Sequence, residues 1–105
     1  MDKGASVKMK IPKFVNIHGH NYKIQLVTAD KLKNGEAGVM RFPERVILIA
    51  KNMSPEIRWL TFLHEIRHAA QYETGMTQVF GKQLAETDSE IFVSLITSLQ
   101  KQGVL

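Results

Sequence analysis

Apolar and polar residues alternate with a period of two through the first half of the chain and recur at helical spacing through the second. Phe14 and Asn16 alternate with Val15 and Ile17, and Tyr22, Ile24 and Leu26 alternate with Lys23 and Gln25. Residues 14–17 and 22–27 are therefore predicted strands. His18-Gly19-His20-Asn21 between them is turn chemistry, so the pair reads as a β-hairpin. A helical turn is expected over 29–33, stopped at Asn34-Gly35, followed by a short strand over 38–42 and a turn at Pro43-Glu44. The β-branched apolar run over 45–50 is rich enough to lie buried inside a sheet. Beyond it the period changes. Ser54-Pro55-Glu56 combines an N-cap serine, proline at the first helical position and an acid in the first turn. Ile57, Leu60, His64, Ala69 and Tyr72 carry the helical spacing to a stop at Gly75. Residues 76–80 read as a polar loop. A second helix is predicted over about 81–102, its apolar positions Leu84, Ile91, Leu95 and Leu99 recurring at helical spacing with Val93 and Ile96 beside them. Strands first and helices afterwards predict an α+β fold: a small, mostly antiparallel sheet of about four strands, with two packed helices on one face.

With 105 residues, the chain has the length of one domain and one core, spanning 1–105, with 1–12 expected to fray. It contains no cysteine, so no disulfide forms and no thiolate acts as a metal ligand or nucleophile. Any metal site must use histidine and carboxylates, and the histidines are His18, His20, His64 and His68. The net charge of +4 is uneven: residues 1–52 hold ten Lys/Arg against four Asp/Glu, and residues 53–105 hold four against six. Lys8, Lys10, Lys13, Lys31 and Lys33 are read as a solvated lysine face rather than a nucleic-acid surface, because arginine is sparse there and no aromatic residues interleave. The longest purely apolar run, 46–50, is far too short to cross a bilayer, and no secretory signal is visible. With the missing cysteines, this points to a cytoplasmic protein.

The chemistry concentrates in His64-Glu65-Ile66-Arg67-His68, an H-E-x-x-H inside a predicted helix. A spacing of four stacks His64 and His68 one turn apart on one face, where both imidazoles can reach one Zn²⁺. Glu65, rotated by about 100°, flanks the ion without filling its shell. There it can take a proton from a metal-activated water and give it to a leaving amine. Trp59, Leu60, Phe62, Leu63, Ala69 and Ala70 make the surrounding helix apolar, and polar groups on a buried face need a partner. A metal supplies one. A catalytic zinc also needs a third ligand. The candidates are His18 or His20 on the hairpin turn, or a carboxylate of the next helix, where Glu86 and Glu90 share a face.

Thr61-Phe-Leu-His64-Glu65-Ile-Arg-His68-Ala69 followed by Glu86-Thr-Asp-Ser89-Glu90 resembles the gluzincins, zinc metallopeptidases of thermolysin type, and among them the small ImmA/IrrE-like enzymes and their relatives in phages and mobile elements. The resemblance is firm over about 54–96 and general over the strands. It implies a peptidase in which His64, His68 and Glu86 hold zinc, Glu65 is the general base and acid, and Glu90 accepts the N–H of a ligand histidine. It also implies that the strand over 38–42 is the cleft-side edge, pairing with an extended peptide or protein substrate. Glu90 remains the rival third ligand, and Asp88 is expected at the surface. Glu90 stands where the family pattern has Asp. Large gluzincins carry a second domain with an oxyanion-stabilising His or Tyr; only three residues follow Gln102 here, so the expectation is a cleft without it, completed by Tyr72, Arg67 or a protein partner. The competing expectation is a non-catalytic, zinc-stabilised interaction or regulatory module.

Overall fold

The computed structural model describes residues 10–105. The expected frayed start and Lys8 lie, as far as residue 9, outside the described residues. Residues 10–13 lead without regular structure into β1 (Phe14–Ile17). β1 pairs antiparallel with β2 (His20–Val27). The connecting turn is tighter than the four residues expected. Only His18 and Gly19 form it, at φ 50° and 89°, the two positive values that a two-residue turn matched to strand twist requires. Asn16 stabilises it by accepting from the Gly19 amide through Oδ1 at 3.0 Å. His20 and Asn21 are strand residues.

A single 3₁₀ turn (Ala29–Lys31) follows, and the chain then crosses to the far edge of the sheet as β3 (Gly38–Arg41). It returns through a turn holding Arg45 at φ 60° into β4 (Val46–Ala50). β4 inserts between β2 and β3, giving the order β1-β2-β4-β3. It runs parallel to β2, Lys23 opposite Val46 through Val27 opposite Ala50, and antiparallel to β3. The sheet is therefore mixed, with two antiparallel ladders and one parallel one. The apolar run of β4 is buried as its composition predicts: Ile47 and Ile49 are fully inaccessible and Leu48 nearly so. Each buried isoleucine contributes about 1.5–3 kcal/mol.

α1 (Pro55–Glu73) starts where its capping residues predict, with Ser54 Oγ accepting from the Ile57 amide at 3.2 Å, and Gly75 at φ 81° closes its end. It lies across β1, β4 and β3, sealing a core of Tyr22, Ile24, Ile47, Ile49, Phe62, Leu63 and Ala69. Residues 76–80, expected as a loop, form one helical turn and a half, α2 (Met76–Phe80), bracketed by Gly75 and Gly81. α3 (Lys82–Lys101) runs back antiparallel to α1: Ala85 meets Gln71 at one end, and Gln100 accepts from Trp59 Nε1 at the other.

Two expectations about α3 are corrected. It packs chiefly on α1 and α2 rather than on the sheet. Its inner face is also not the Leu84, Ile91, Leu95 stripe, since those side chains are 47%, 62% and 54% exposed. The inward positions are Ala85 and Ser89, with Phe92, Val93 and Ile96 below them. Small residues there let the two helix backbones approach closely. Among the described residues no helix is long and apolar enough to cross a membrane. Lys10, Lys13, Lys23, Lys31 and Lys33 are all exposed.

The C-terminal end of α1 is tied to the sheet by Glu73, whose side chain is 5% exposed. Its carboxylate accepts from Arg45 Nε at 2.7 Å, Arg45 Nη2 at 3.2 Å and the Tyr22 hydroxyl at 2.5 Å. These bonds, from Arg45 first and Tyr22 second, hold the Glu73 carboxyl down at about 2, and burial, with the same carboxylate second, pushes the Tyr22 phenol well above its usual range. A carboxyl with a depressed folded-state pKa stabilises above its ordinary value near 4.5, and that contribution fades as pH falls toward 2. Glu73→Gln should therefore melt below the wild type at neutral pH, with the gap closing between pH 4.5 and 2; thermal melts across that range check it.

Candidate metal centre

One turn of α1 separates His64 from His68, and both side chains lean off the helix toward the start of α3. Their Nε2 atoms stand 3.0 Å apart, with the rings edge to face at 76°. Glu86, from the first turn and a half of α3, completes the group: Oε1 lies 3.0 Å from His68 Nε2 and Oε2 lies 3.1 Å from His64 Nε2. Donor atoms 2.0–2.1 Å from one tetrahedral ion stand about 3.3 Å apart, so these three fit zinc with little adjustment. Two imidazole nitrogens and a carboxylate, with no cysteine, form a donor set of the kind that catalytic zinc accepts. The geometry also separates the candidates for third ligand by position. His20 instead faces Glu73, its Nε2 3.6 Å from Oε1, and neither hairpin histidine joins the group. Glu90 does not join it either.

Glu65 is 7% exposed. It points toward β3, where the chain comes so close that only glycine fits. A Cβ on Gly38 would stand 2.6 Å from Thr61 Cγ2, 2.9 Å from the Leu48 carbonyl oxygen and 3.6 Å from Glu65 Cγ. Burial raises the Glu65 carboxyl, His68 draws it back, and the negative charges of Glu86 and Glu36 add to the rise, leaving it at about 7. A carboxyl poised near neutrality can both take and return a proton.

The group opens onto a cleft of about 900 Å³ between the edge strand β3, α1 and α3. Glu36, Met40, Tyr72, Lys82 and Val93 are among its walls, and Glu65 and the three ligand candidates line it as well. Tyr72 stacks on Phe42, ring centroids 5.0 Å apart.

Three expectations change here. Glu90 lines the cleft but is exposed and makes no hydrogen bond to either histidine. The group that accepts from His68 Nδ1 is Gln71, through Oε1 at 2.8 Å, with Ser89 Oγ at 3.3 Å. Asp88, expected at the surface, is half-buried between Arg67, at 2.8 and 3.3 Å, and Gln71 Nε2, at 2.8 Å. Arg67 is therefore committed to Asp88 and to the Phe92 ring and does not line the cleft, whereas Tyr72 does. Gln71 was findable in principle, being three residues past His68 and so on its helical face.

No known protein family, curated protein or solved structure matches the chain.

Two measurements follow from this geometry. Metal analysis should find about one zinc per chain. Glu86→Ala should then lower zinc affinity by more than about 100-fold, beyond the roughly 10–100-fold typical of losing a supporting partner, while Glu90→Ala stays close to wild type. Gly38→Ala should cost about 1–3 kcal/mol in denaturant unfolding, because the carbonyl of Leu48 belongs to the paired strand and cannot yield as a side chain would.

Proposed function

We propose that the protein is a zinc-dependent peptidase of minimal gluzincin type. The observation that supports this most is the convergence of His64, His68 and Glu86 on one point beside a buried Glu65, at the floor of an open cleft. A structural zinc site has no use for that carboxylate, and a carboxylate buried without a cation beside it costs free energy. Held by His64, His68 and Glu86, a zinc ion would supply Lewis acidity toward a peptide carbonyl and toward the attacking water.

The chain's own residues do the rest. Glu65 accepts a proton from the attacking water at its carboxylate and passes it to the nitrogen of the departing amine. Among the described residues β3 is an edge strand that pairs with β4 alone, so its outer side can hydrogen-bond an extended peptide as an added strand. Tyr72 stands in the cleft wall, where its hydroxyl can donate to a developing oxyanion. A cleft this open suits a protein substrate or a partner that closes it. The lack of cysteine fits a cytoplasmic setting, and the kinship suggested by the motif is with small metallopeptidases of phages and mobile elements.

The second reading is a non-catalytic, zinc-stabilised interaction or regulatory module. It draws on Glu86 standing on a different helix from the histidines, so that a bound ion clamps α1 to α3.

Glu65→Gln separates the two. It should keep the zinc content and thermal stability of the wild type while slowing cleavage of a broad peptide library by roughly 10²–10⁴-fold. A wild-type protein that binds zinc but cuts nothing in the library, or cuts equally well as Glu65→Gln, leaves the module reading in place.

A further inference from the structure

Gln71 lies on the same face of α1 as His64 and His68, and its side chain is all but inaccessible, at 2%. Its Nε2 stands 2.8 Å from the Ala85 carbonyl oxygen, 2.8 Å from Asp88 Oδ2 and 3.1 Å from Ser89 Oγ. A backbone carbonyl and a carboxylate can only accept hydrogen bonds. The end of the amide that meets them must therefore be the NH₂. Reversing the amide would set a carbonyl oxygen against two acceptors in a buried place, where unpaired polar groups are costly. With the amide so oriented, Oε1 is the atom 2.8 Å from His68 Nδ1. A carbonyl oxygen only accepts, so His68 Nδ1 must carry a proton and donate it. The lone pair of a neutral imidazole is then at Nε2, the atom that faces His64 and Glu86 at 3.0 Å. Asp88 in turn is held in place by the two bonds from Arg67.

We infer that Gln71 is a positioning residue that fixes His68 as the Nδ1–H form and so delivers Nε2 to the metal, with its own orientation imposed by Ala85, Asp88 and Ser89 of α3. Water alone would not do this, because free neutral histidine favours the opposite form, with the proton on Nε2. All three acceptors belong to α3, as does Glu86. Docking of α3 on α1 thus performs two tasks in one step: it brings the third ligand and it prepares the second. The working motif is H-E-x-x-H-x-x-Q, with the amide doing for His68 what a carboxylate on the next helix was expected to do. The inference deepens the proposed metal site and rests on it for the consequence, but not for the proton position itself.

The test is therefore made first without metal. Nitrogen-15 NMR of the histidine-labelled, zinc-free wild type should show His68 Nδ1 protonated at neutral and mildly basic pH, whatever the state of Nε2. In Gln71→Leu that signal should give way to the Nε2–H form, and zinc affinity should fall about 10–100-fold. The variant Gln71→Met keeps a long, unbranched side chain of similar volume but offers His68 no carbonyl acceptor. It should likewise lose the protonated Nδ1 signal and show the same fall in zinc affinity, and it decides the matter where the leucine variant fails to fold. A wild type with unprotonated Nδ1, or a folded Gln71→Leu with unchanged His68 signals and zinc affinity, overturns the inference. A wild type that shows the Nδ1 proton but binds no zinc supports the amide's role and overturns the metal site instead.

Discussion

Everything in the site depends on how closely α3 can approach α1. The two histidines stand on one helix and Glu86 on the other, and a carboxylate must come within about 3 Å of both imidazoles. Leucines across that seam would hold the helices near the wide end of the usual 8–10 Å separation. Ala85 and Ser89 face α1 instead. Close approach removes water from the seam, so every polar group left in it must find a partner. Gln71 answers that requirement with its Oε1 against His68 on one side and its NH₂ among Ala85, Asp88 and Ser89 of α3 on the other. The packing constraint and the hydrogen-bonding constraint are thus met by the same few residues.

The other wall of the site obeys a similar rule. Gly38 lets β3 sit against Thr61 and Glu65, and the resulting burial raises the carboxyl of Glu65 toward neutrality. At the far end of α1, Glu73 binds Arg45 and Tyr22, so the helix is anchored to the turn before β4 and to the first half of β2. Arg45 sits at a positive φ that a non-glycine residue seldom adopts, and its two bonds to Glu73 help to hold it there. α1 therefore carries His64 and His68 at its centre and the anchor at its end, and the sheet fixes its position against both.

Much of this was legible in the chain. The capping residues Ser54 and Pro55 mark the start of α1 within a residue, and Gly75 marks its end, because these are local effects of backbone and cap. The spacing of His64, Glu65 and His68 needs only the helical repeat. The four strands follow from alternation and from the β-branched run of β4. Other features were hidden for stated reasons. α2 is five residues between two glycines, too short for a period to show. The apolar stripe of α3 drew attention to Leu84, Ile91 and Leu95, although the seam uses small residues that a hydrophobic pattern does not register. Glu90 and Asp88 carry the same charge and stand two residues apart, and nothing local says which one turns inward.

The sequence alone determined the things that depend on residues a few positions apart: the caps, the hairpin, the helical stacking of two histidines and the exclusion of thiolate chemistry by the absence of cysteine. The tertiary structure decided the things that depend on which surfaces meet. It inserted β4 between β2 and β3, brought Glu86 rather than the hairpin histidines or Glu90 up to His64 and His68, and set Gln71 against His68 Nδ1. The physical reason is range. Backbone conformation and helical phase are set by neighbours along the chain, whereas a hydrogen-bond partner or a third ligand is set by the fit of two surfaces that are far apart in sequence.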